Sequence, residues 1–99
     1  MKVLANDGIS AVGKAALEKD GFEVLTTFVA QDQLANFINN NQIEVLIVRS
    51  ATQVRKDLIY QTHLKIIGRA GVGMDNIDVE YALSKGIKVI NTPASSSAS

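Results

Sequence analysis

Short aliphatic runs alternate along this chain with longer stretches in which apolar positions recur every three or four residues. Five of the runs predict β-strands, at residues 2–6, 22–26, 43–49, 64–68 and 87–91. Several of them, such as VLIV within the third run, are apolar at consecutive positions. Uninterrupted apolar strands are typical of a parallel sheet that is buried on both faces, so we expect one such sheet.

Apolar stripes at helical spacing separate the predicted strands, and each indicates an amphipathic helix. The stripes are Ile9, Val12, Ala16 and Leu17; Leu34, Phe37 and Ile38; Val54 and Leu58; and Val79, Ala82 and Leu83. Gly21 and Gly86 follow the first and last helices, where a residue in the left-handed conformation often ends a helix. Ser10 and Asp78 precede the same two helices and are candidate N-caps.

This order of elements, strand then helix repeated without a final helix, predicts an α/β fold of the flavodoxin-like type. Right-handed crossovers give a doubly wound parallel five-stranded sheet, for which we expect the strand order 2-1-3-4-5. The tail PASSSAS, residues 93–99, stands where a fifth helix is expected, and its composition favours a linker or a frayed end. An apolar patch of the sheet would then stay uncovered, so we expect self-association.

Composition narrows the classes of function. The chain has 99 residues, enough for one domain, and its ten basic and ten acidic residues cancel. A basic excess suited to nucleic acid is absent from the sequence, and its apolar runs are too short for a membrane span. The chain has no cysteine, and its N-terminus lacks the pattern of a signal peptide. We therefore expect a cytoplasmic protein.

Candidate chemistry lies in the loops that follow the strands, because ligands of open parallel sheets bind beyond the carboxyl ends of the strands. Arg49 and Arg69 each follow or end a strand, and the expected order makes these two strands neighbours. Two guanidinium groups at one edge suit a carboxylate or a phosphate. Gly71 and Gly73 allow successive backbone N–H groups to converge on the same anion. The simpler alternative, turn glycines and solvent-facing arginines, stays open on spacing alone.

Two other sites are disfavoured. The run from Gly71 to Gly73 begins a dinucleotide-binding fingerprint, but Asn76 replaces its third glycine, and Asn91 stands where a ribose-binding acid is expected. We exclude binding of a dinucleotide by this loop in the Rossmann manner. No metal site is expected, because turn and N-cap roles account for Asp75, Asn76 and Asp78 more simply than metal ligation. We interpret His63, the single histidine, as a solvated surface residue.

A combination of motifs resembles the NAD-dependent D-2-hydroxyacid dehydrogenases. The motifs are RSAT at 49–52, GRAGVGMDNID at 68–78, Gly86-Ile87, and NTP at 91–93. The resemblance implies a two-lobed enzyme, of which residues 1–92 form the substrate-binding lobe and residues 93–99 lead toward a nucleotide-binding domain absent from this chain. It places the NAD site and the catalytic residues in that missing part, so we expect the chain alone to be catalytically silent.

The resemblance also assigns residues to the substrate side of the cleft. It implies substrate-binding roles for Arg49, Ser50, Arg69, Ala70, Gly71, Val72 and Gly73, and it places Val72 close to the nicotinamide as well. The implied substrate is a small anionic 2-hydroxy or 2-oxo acid, which we expect to be phosphorylated. Ser95 and Ser96 depart from the family pattern, in which asparagine is common.

A non-catalytic flavodoxin-like binding or receiver-type module is the alternative function. A phosphoreceiver needs an aspartate at the end of the third strand, an acidic pair after the first and a lysine at the end of the fifth. Arg49, the single Asp7 and Asn91 hold those places. A flavodoxin needs a hydroxyl-rich phosphate loop and aromatic side chains, whereas this loop reads NDGIS and the chain has no tryptophan. Both modules therefore fit the sequence poorly.

Overall fold

The computed structural model describes residues 1–49, 51–70 and 76–92. The strands in these ranges are β1 (Lys2–Ala5), β2 (Glu23–Leu25), β3 (Ile43–Val48), β4 (Ile66–Ala70) and β5 (Lys88–Thr92). The helices are α1 (Ala11–Lys19), α2 (Leu34–Asn40), α3 (Lys56–Gln61) and α4 (Val79–Ser84), and a 3-10 helix at Gln31–Gln33 leads into α2. None of these helices combines the length and the apolar character needed to cross a membrane.

The strands form one parallel sheet in the order β2-β1-β3-β4-β5, which confirms the predicted flavodoxin-like topology. Ser50, Gly71, Val72 and Gly73, four of the expected substrate-binding residues, lie outside the described residues, as do residues 93–99. In the register of the sheet, Val48 at the end of β3 pairs with Arg69 in β4. Arg49 is the next residue after Val48, so the two arginines lie at the same carboxyl edge on neighbouring strands.

Both faces of the sheet carry buried apolar side chains, which explains why the strands are apolar without alternation. One face packs against α2, α3 and α4 through the cluster that contains Leu4, Leu46, Val48, Ile67, Leu34, Ile38, Leu58 and Ala82. The other face contributes Val3, Ala5, Val24, Val45 and Ile47, against which Ile9, Leu17 and Phe22 pack. Because each strand is hydrogen-bonded to its neighbours in a fixed register, its carboxyl end is held in a defined position.

The predicted helix ends are confirmed. Ser10 Oγ accepts a hydrogen bond of 3.1 Å from the N–H of Gly13, and the Asp78 carboxylate accepts one of 3.3 Å from the N–H of Tyr81. Each side chain satisfies a backbone donor that has no partner within its own helix. Gly21 and Gly86 have φ values of +95° and +82°, the left-handed conformation expected after a helix.

The prediction was wrong for part of two apolar stripes. Helix α1 buries none of its residues, and Val12 is 71% exposed. The stripe was counted from Ile9, which precedes the helix, so the helical period does not relate Ile9 to Val12. In α4, Ala82 is buried whereas Leu83 is 57% exposed, because consecutive helical residues point about 100° apart. The strand boundaries differ from the predicted ones by up to two residues.

Candidate functional site

The carboxyl edge of the sheet contains most of the buried polar side chains of the described residues. These buried polar residues are Asn6, Thr52, Thr62 and Asn76, and three of the four, all but Thr62, lie at this edge. A buried polar group costs free energy unless it is hydrogen-bonded, so each should have partners. The partners show how the loops at this edge are held.

Asp7, after the end of β1, holds the loop that follows β3. Its Oδ2 accepts hydrogen bonds from the backbone N–H groups of Arg49, at 2.8 Å, and Thr52, at 3.0 Å. Its Oδ1 accepts a bond of 2.6 Å from the hydroxyl of Thr52. Hydrogen bonds to an ionised acceptor are stronger than neutral ones. The carboxylate therefore fixes both ends of residues 49–52, the segment that carries Arg49.

Asn76 holds the same loop from its carbonyl side. Its Nδ2 donates hydrogen bonds of 2.6 Å to the carbonyl oxygens of both Arg49 and Thr52. Its Oδ1 accepts a bond of 2.9 Å from Nε of Arg69. Asn76 thus links the segment that carries Arg49 to the guanidinium of Arg69. A backbone bridge supports it, since the N–H of Val54 donates to the Asn76 carbonyl at 2.7 Å.

Asn6 brings the segment after β2 to this edge as well. Its Oδ1 accepts a bond of 2.7 Å from the N–H of Val29, and its Nδ2 donates to the Val29 carbonyl at 3.1 Å. The same Nδ2 donates to Thr52 Oγ1 at 3.0 Å. A second pair of bonds, between Gln31 and the backbone of Gln53, joins the same two segments. The segments after β1, β2 and β3 therefore form one hydrogen-bonded group.

The chemistry of this edge is that of anion recognition. Arg49 is exposed and Arg69 is half-buried; Asp7 and Asn76 fix the backbone of Arg49, whereas Asn76 holds the Nε of Arg69 and the sheet holds its backbone. A guanidinium presents donors in a rigid planar fork, so it can bind a carboxylate or a phosphate through two parallel bonds. Two such groups on adjacent strands suit a small molecule with two anionic ends.

Other residues singled out from the sequence lie elsewhere or outside the described part. Ala70 is the last residue of β4, at the carboxyl edge. His63 is exposed and precedes β4, so it lies at the opposite edge of the sheet. Asp75 falls outside the described residues. Within the ranges that the structure describes, no three His, Cys, Asp or Glu side chains come together as metal ligands.

Sequence reasoning missed the residues that organise the edge. Asn76 lies in a turn, as expected, but its side chain also makes the three bonds to the arginine segments. The rule that ligands bind beyond strand ends selects the loop of Asn6 and Asp7, and Thr52 belongs to the RSAT motif, but the sequence assigns none of the three a partner. The available signal was their position, because Asn6 and Asp7 directly follow β1 and Thr52 follows β3 by a few residues. Polar residues in those places face the ligand edge of a parallel sheet.

Comparisons with known proteins agree with this geometry. A family model described as "D-isomer specific 2-hydroxyacid dehydrogenase, catalytic domain" matches residues 3–99. Hydroxypyruvate reductase from Thermotoga maritima is 48% identical over 84 residues, which cover 84% of this chain and 27% of that protein. D-3-phosphoglycerate dehydrogenase from Methanocaldococcus jannaschii is 43% identical over 100 residues, which cover 100% of this chain and 19% of that protein.

A solved structure shares the fold. The NAD+-bound 3-phosphoglycerate dehydrogenase of Entamoeba histolytica superposes with a TM-score of 0.74 and 30% identity, over 94% of this chain and 33% of that chain. Across these three proteins, the chain spans about a fifth to a third of the relative's length. The match therefore covers nearly all of this chain and a minor part of each relative.

Proposed function

This chain belongs to the family of D-isomer specific 2-hydroxyacid dehydrogenases, and on that premise we propose that it is the substrate-binding lobe of an NAD-dependent D-3-phosphoglycerate dehydrogenase. The observation that carries the proposal is the pair of arginines at one edge of the sheet, linked through Asn76. In the proposal, residues 1–92 are the lobe and residues 93–99 lead to a nucleotide-binding domain.

The substrate has an anionic group at each end, a carboxylate on C1 and a phosphate on C3. Arg69 binds the carboxylate, together with the backbone from Ala70 to Gly73, and Arg49 with Ser50 binds the phosphate. These contacts neutralise the substrate's charge and hold C2 in one place, so the lobe contributes orientation. The 2-hydroxyl proton passes to a group outside this chain.

NAD would be held by the nucleotide-binding domain and, when bound, would supply the acceptor for the hydride that leaves C2 of the hydroxy acid. The described residues do not themselves fit a dinucleotide, because the turn after β1 presents the carboxylate of Asp7. Dinucleotide-binding turns offer bare backbone N–H groups and glycines to the pyrophosphate, whereas this turn uses its aspartate to hold the backbone of the loop after β3. In the proposal, Val72 is a residue of this lobe that would contact the nicotinamide, as the family resemblance implies.

Hydroxypyruvate is the second candidate substrate, favoured by the relative from Thermotoga maritima. Like 3-phosphoglycerate it has three carbons and a C1 carboxylate, but C2 is a carbonyl and C3 carries a hydroxyl in place of the phosphate. Both substrates need Arg69 for the carboxylate, and only the phosphorylated one needs a cation at the other end. The receiver-type alternative is not favoured, because family membership supports the dehydrogenase lobe and Arg49 holds the place of the phosphorylated aspartate.

The test uses the intact enzyme that contains this lobe. We expect Arg69→Ala to raise KM for 3-phosphoglycerate. The ratio of the two KM values should correspond to a loss of about 1.5–3 kcal/mol in binding free energy, the cost of a lost hydrogen bond to a charged group. Arg49→Ala should raise KM for 3-phosphoglycerate several-fold more than KM for glycerate, the acid that lacks phosphate. The measurements are initial rates of NAD reduction over a range of substrate concentrations.

Lys65→Ala is the matched control, because it also removes one positive charge. Lys65 precedes β4, at the amino edge of the sheet, and lies 3.5 Å from Glu44. The KM of the Lys65→Ala variant for 3-phosphoglycerate should match that of the unmodified enzyme. An unchanged KM in Arg69→Ala would remove Arg69 from the site, and equal losses on both acids in Arg49→Ala would assign Arg49 to the carboxylate.

We also propose that the isolated chain self-associates. Ile90 on β5 is 37% exposed, and Ile66 on β4 is half-buried on the same face of the sheet. Gly68 lies between them, and a Cβ added there would stand 3.4 Å from Ile90 Cγ1 and 3.5 Å from Ile47 Cγ1. This face of β4 and β5 is therefore continuous with the apolar cluster that α1 covers.

A further inference from the structure

We infer that Asn76 is a positioning residue, which orients the guanidinium of Arg69 and holds the backbone of Arg49 without binding the substrate. The inference rests on the proposed function, since it concerns the same site. It adds to the two arginines, which contact the anion in the proposal, the side chain of Asn76, which contacts both of them. Asn76 is only 6% exposed, so it is packed behind the edge.

The hydrogen bonds of Asn76 admit a single orientation of its amide. Its two N–H groups donate to the carbonyl oxygens of Arg49 and Thr52, and its oxygen accepts from Arg69 Nε. If the amide were flipped, its oxygen would face two carbonyl oxygens and its NH₂ group would face an N–H donor. The side chain therefore fixes a carbonyl of one arginine segment and the guanidinium of the other at the same time.

The backbone around Asn76 is held by other contacts, so loss of the Asn76 side chain should affect the orientation of Arg69 more than the folding of the chain. The N–H of Val54 donates to the Asn76 carbonyl at 2.7 Å, and the N–H of Asp78 donates to the Val54 carbonyl at 2.8 Å. The loop after β3 keeps its bonds to Asp7 when the Asn76 amide is removed. The loss then falls mainly on the orientation of Arg69 and on the carbonyl of Arg49.

The orientation of Arg69 matters because an arginine side chain is long and flexible. Binding through two parallel bonds requires the guanidinium plane to match the plane of the carboxylate. A bond at Nε restricts that plane before the substrate arrives, so less conformational freedom is lost on binding. Removing the amide oxygen keeps the charge and removes this restraint on the plane.

The experiment measures the Kd of the intact enzyme that contains this lobe for 3-phosphoglycerate by calorimetry. We expect Asn76→Ala to weaken binding about tenfold, within the range that one hydrogen bond to a charged group supplies. Asn39→Ala is the matched control, because the Asn39 amide also donates to a carbonyl, that of Gln61 at 2.8 Å, but on the surface beside α2. Its Kd should equal that of the unmodified enzyme.

A second readout reports the positioning directly. In the unmodified chain, the Nε–H resonance of Arg69 should exchange with water more slowly than that of the exposed Arg49 in ¹H–¹⁵N NMR spectra. This measurement needs no substitution, so it applies even if Asn76→Ala folds poorly. Equal exchange rates for the two arginines would overturn the inference.

A double substitution separates indirect action from independent binding. Arg69→Lys keeps the charge but lacks the Nε–H that Asn76 accepts. If Asn76 acts through Arg69, adding Asn76→Ala to Arg69→Lys weakens binding much less than it does in the unmodified enzyme, whereas additive losses would overturn the inference. If the intact enzyme that contains this lobe binds neither 3-phosphoglycerate nor hydroxypyruvate, the proposed function fails. Equal binding by the unmodified enzyme and Asn76→Ala overturns only the role of Asn76.

Discussion

At the scale of the residue, the stability of the ligand edge depends on a few polar side chains that join segments far apart in sequence. Asp7 accepts three hydrogen bonds from Arg49 and Thr52. We expect Asp7→Ala to lower the free energy of unfolding by about 1–3 kcal/mol, because it leaves donors of the loop unpaired. Urea unfolding followed by circular dichroism measures the change.

The control is Asp32→Ala, because Asp32 is an exposed acid in the 3-10 helix. This substitution should change the free energy of unfolding by less than about 0.5 kcal/mol. Similar losses in both variants would contradict the role given to Asp7.

Residue-level prediction from the sequence succeeded where a strand end determines the position of a side chain. Arg49 and Arg69 were placed at one edge because each follows or ends a strand, and the register agrees. Their partners were not predictable in the same way. Asp7 and Thr52 are 45 residues apart, and Asn76 and Arg49 are 27 residues apart. Hydrophobic periodicity describes which face of an element is buried and carries no information on such pairs.

At the scale of the element, glycine ends the first and last helices for a conformational reason. Gly86 has a φ of +82°, and a Cβ built on it meets no other atom within 4 Å. Any cost of a side chain there is therefore backbone strain. We expect Gly86→Ala to destabilise the protein by about 1–2 kcal/mol, the penalty of the left-handed conformation for an L-residue. Thermal or urea unfolding would measure it.

The comparison variant for this helix end is Gly86→Asn, since asparagine tolerates the left-handed region better than alanine does. Its loss should be smaller than that of Gly86→Ala. If both variants were as stable as the unmodified chain, backbone strain would not govern this helix end.

The order and type of the elements were predictable because stop signals such as this one coincide with changes in periodicity. The buried face of helix α1 was not predicted correctly. Within the helix Leu17 packs against the sheet, and Ile9, which packs there as well, precedes the helix.

At the scale of the whole molecule, strand order follows from connectivity and burial together. Sheets made from strands with helical crossovers need cover on both faces, and the apolar runs of β1, β3 and β4 indicate such cover. The order 2-1-3-4-5 was an inference from the fold type, because right-handed crossovers limit the possible arrangements without selecting one. All strands are parallel, so their carboxyl ends lie at the same edge, with α1 on one face of the sheet and α2, α3 and α4 on the other.

The exposed apolar face of β4 and β5 gives the last prediction, which concerns assembly. Burying apolar area yields about 25 cal/mol per Å², so a second copy that covers Ile66 and Ile90 would gain free energy. We expect the chain to show a concentration-dependent dimer by light scattering, and Ile90→Lys to shift it toward the monomer, because a charge on this face would be buried without a partner. Leu83→Lys is the control, since Leu83 is also exposed but lies on α4, across the sheet. A chain that stays monomeric at high concentration, or a dimer that Ile90→Lys leaves intact, would exclude this face as the contact.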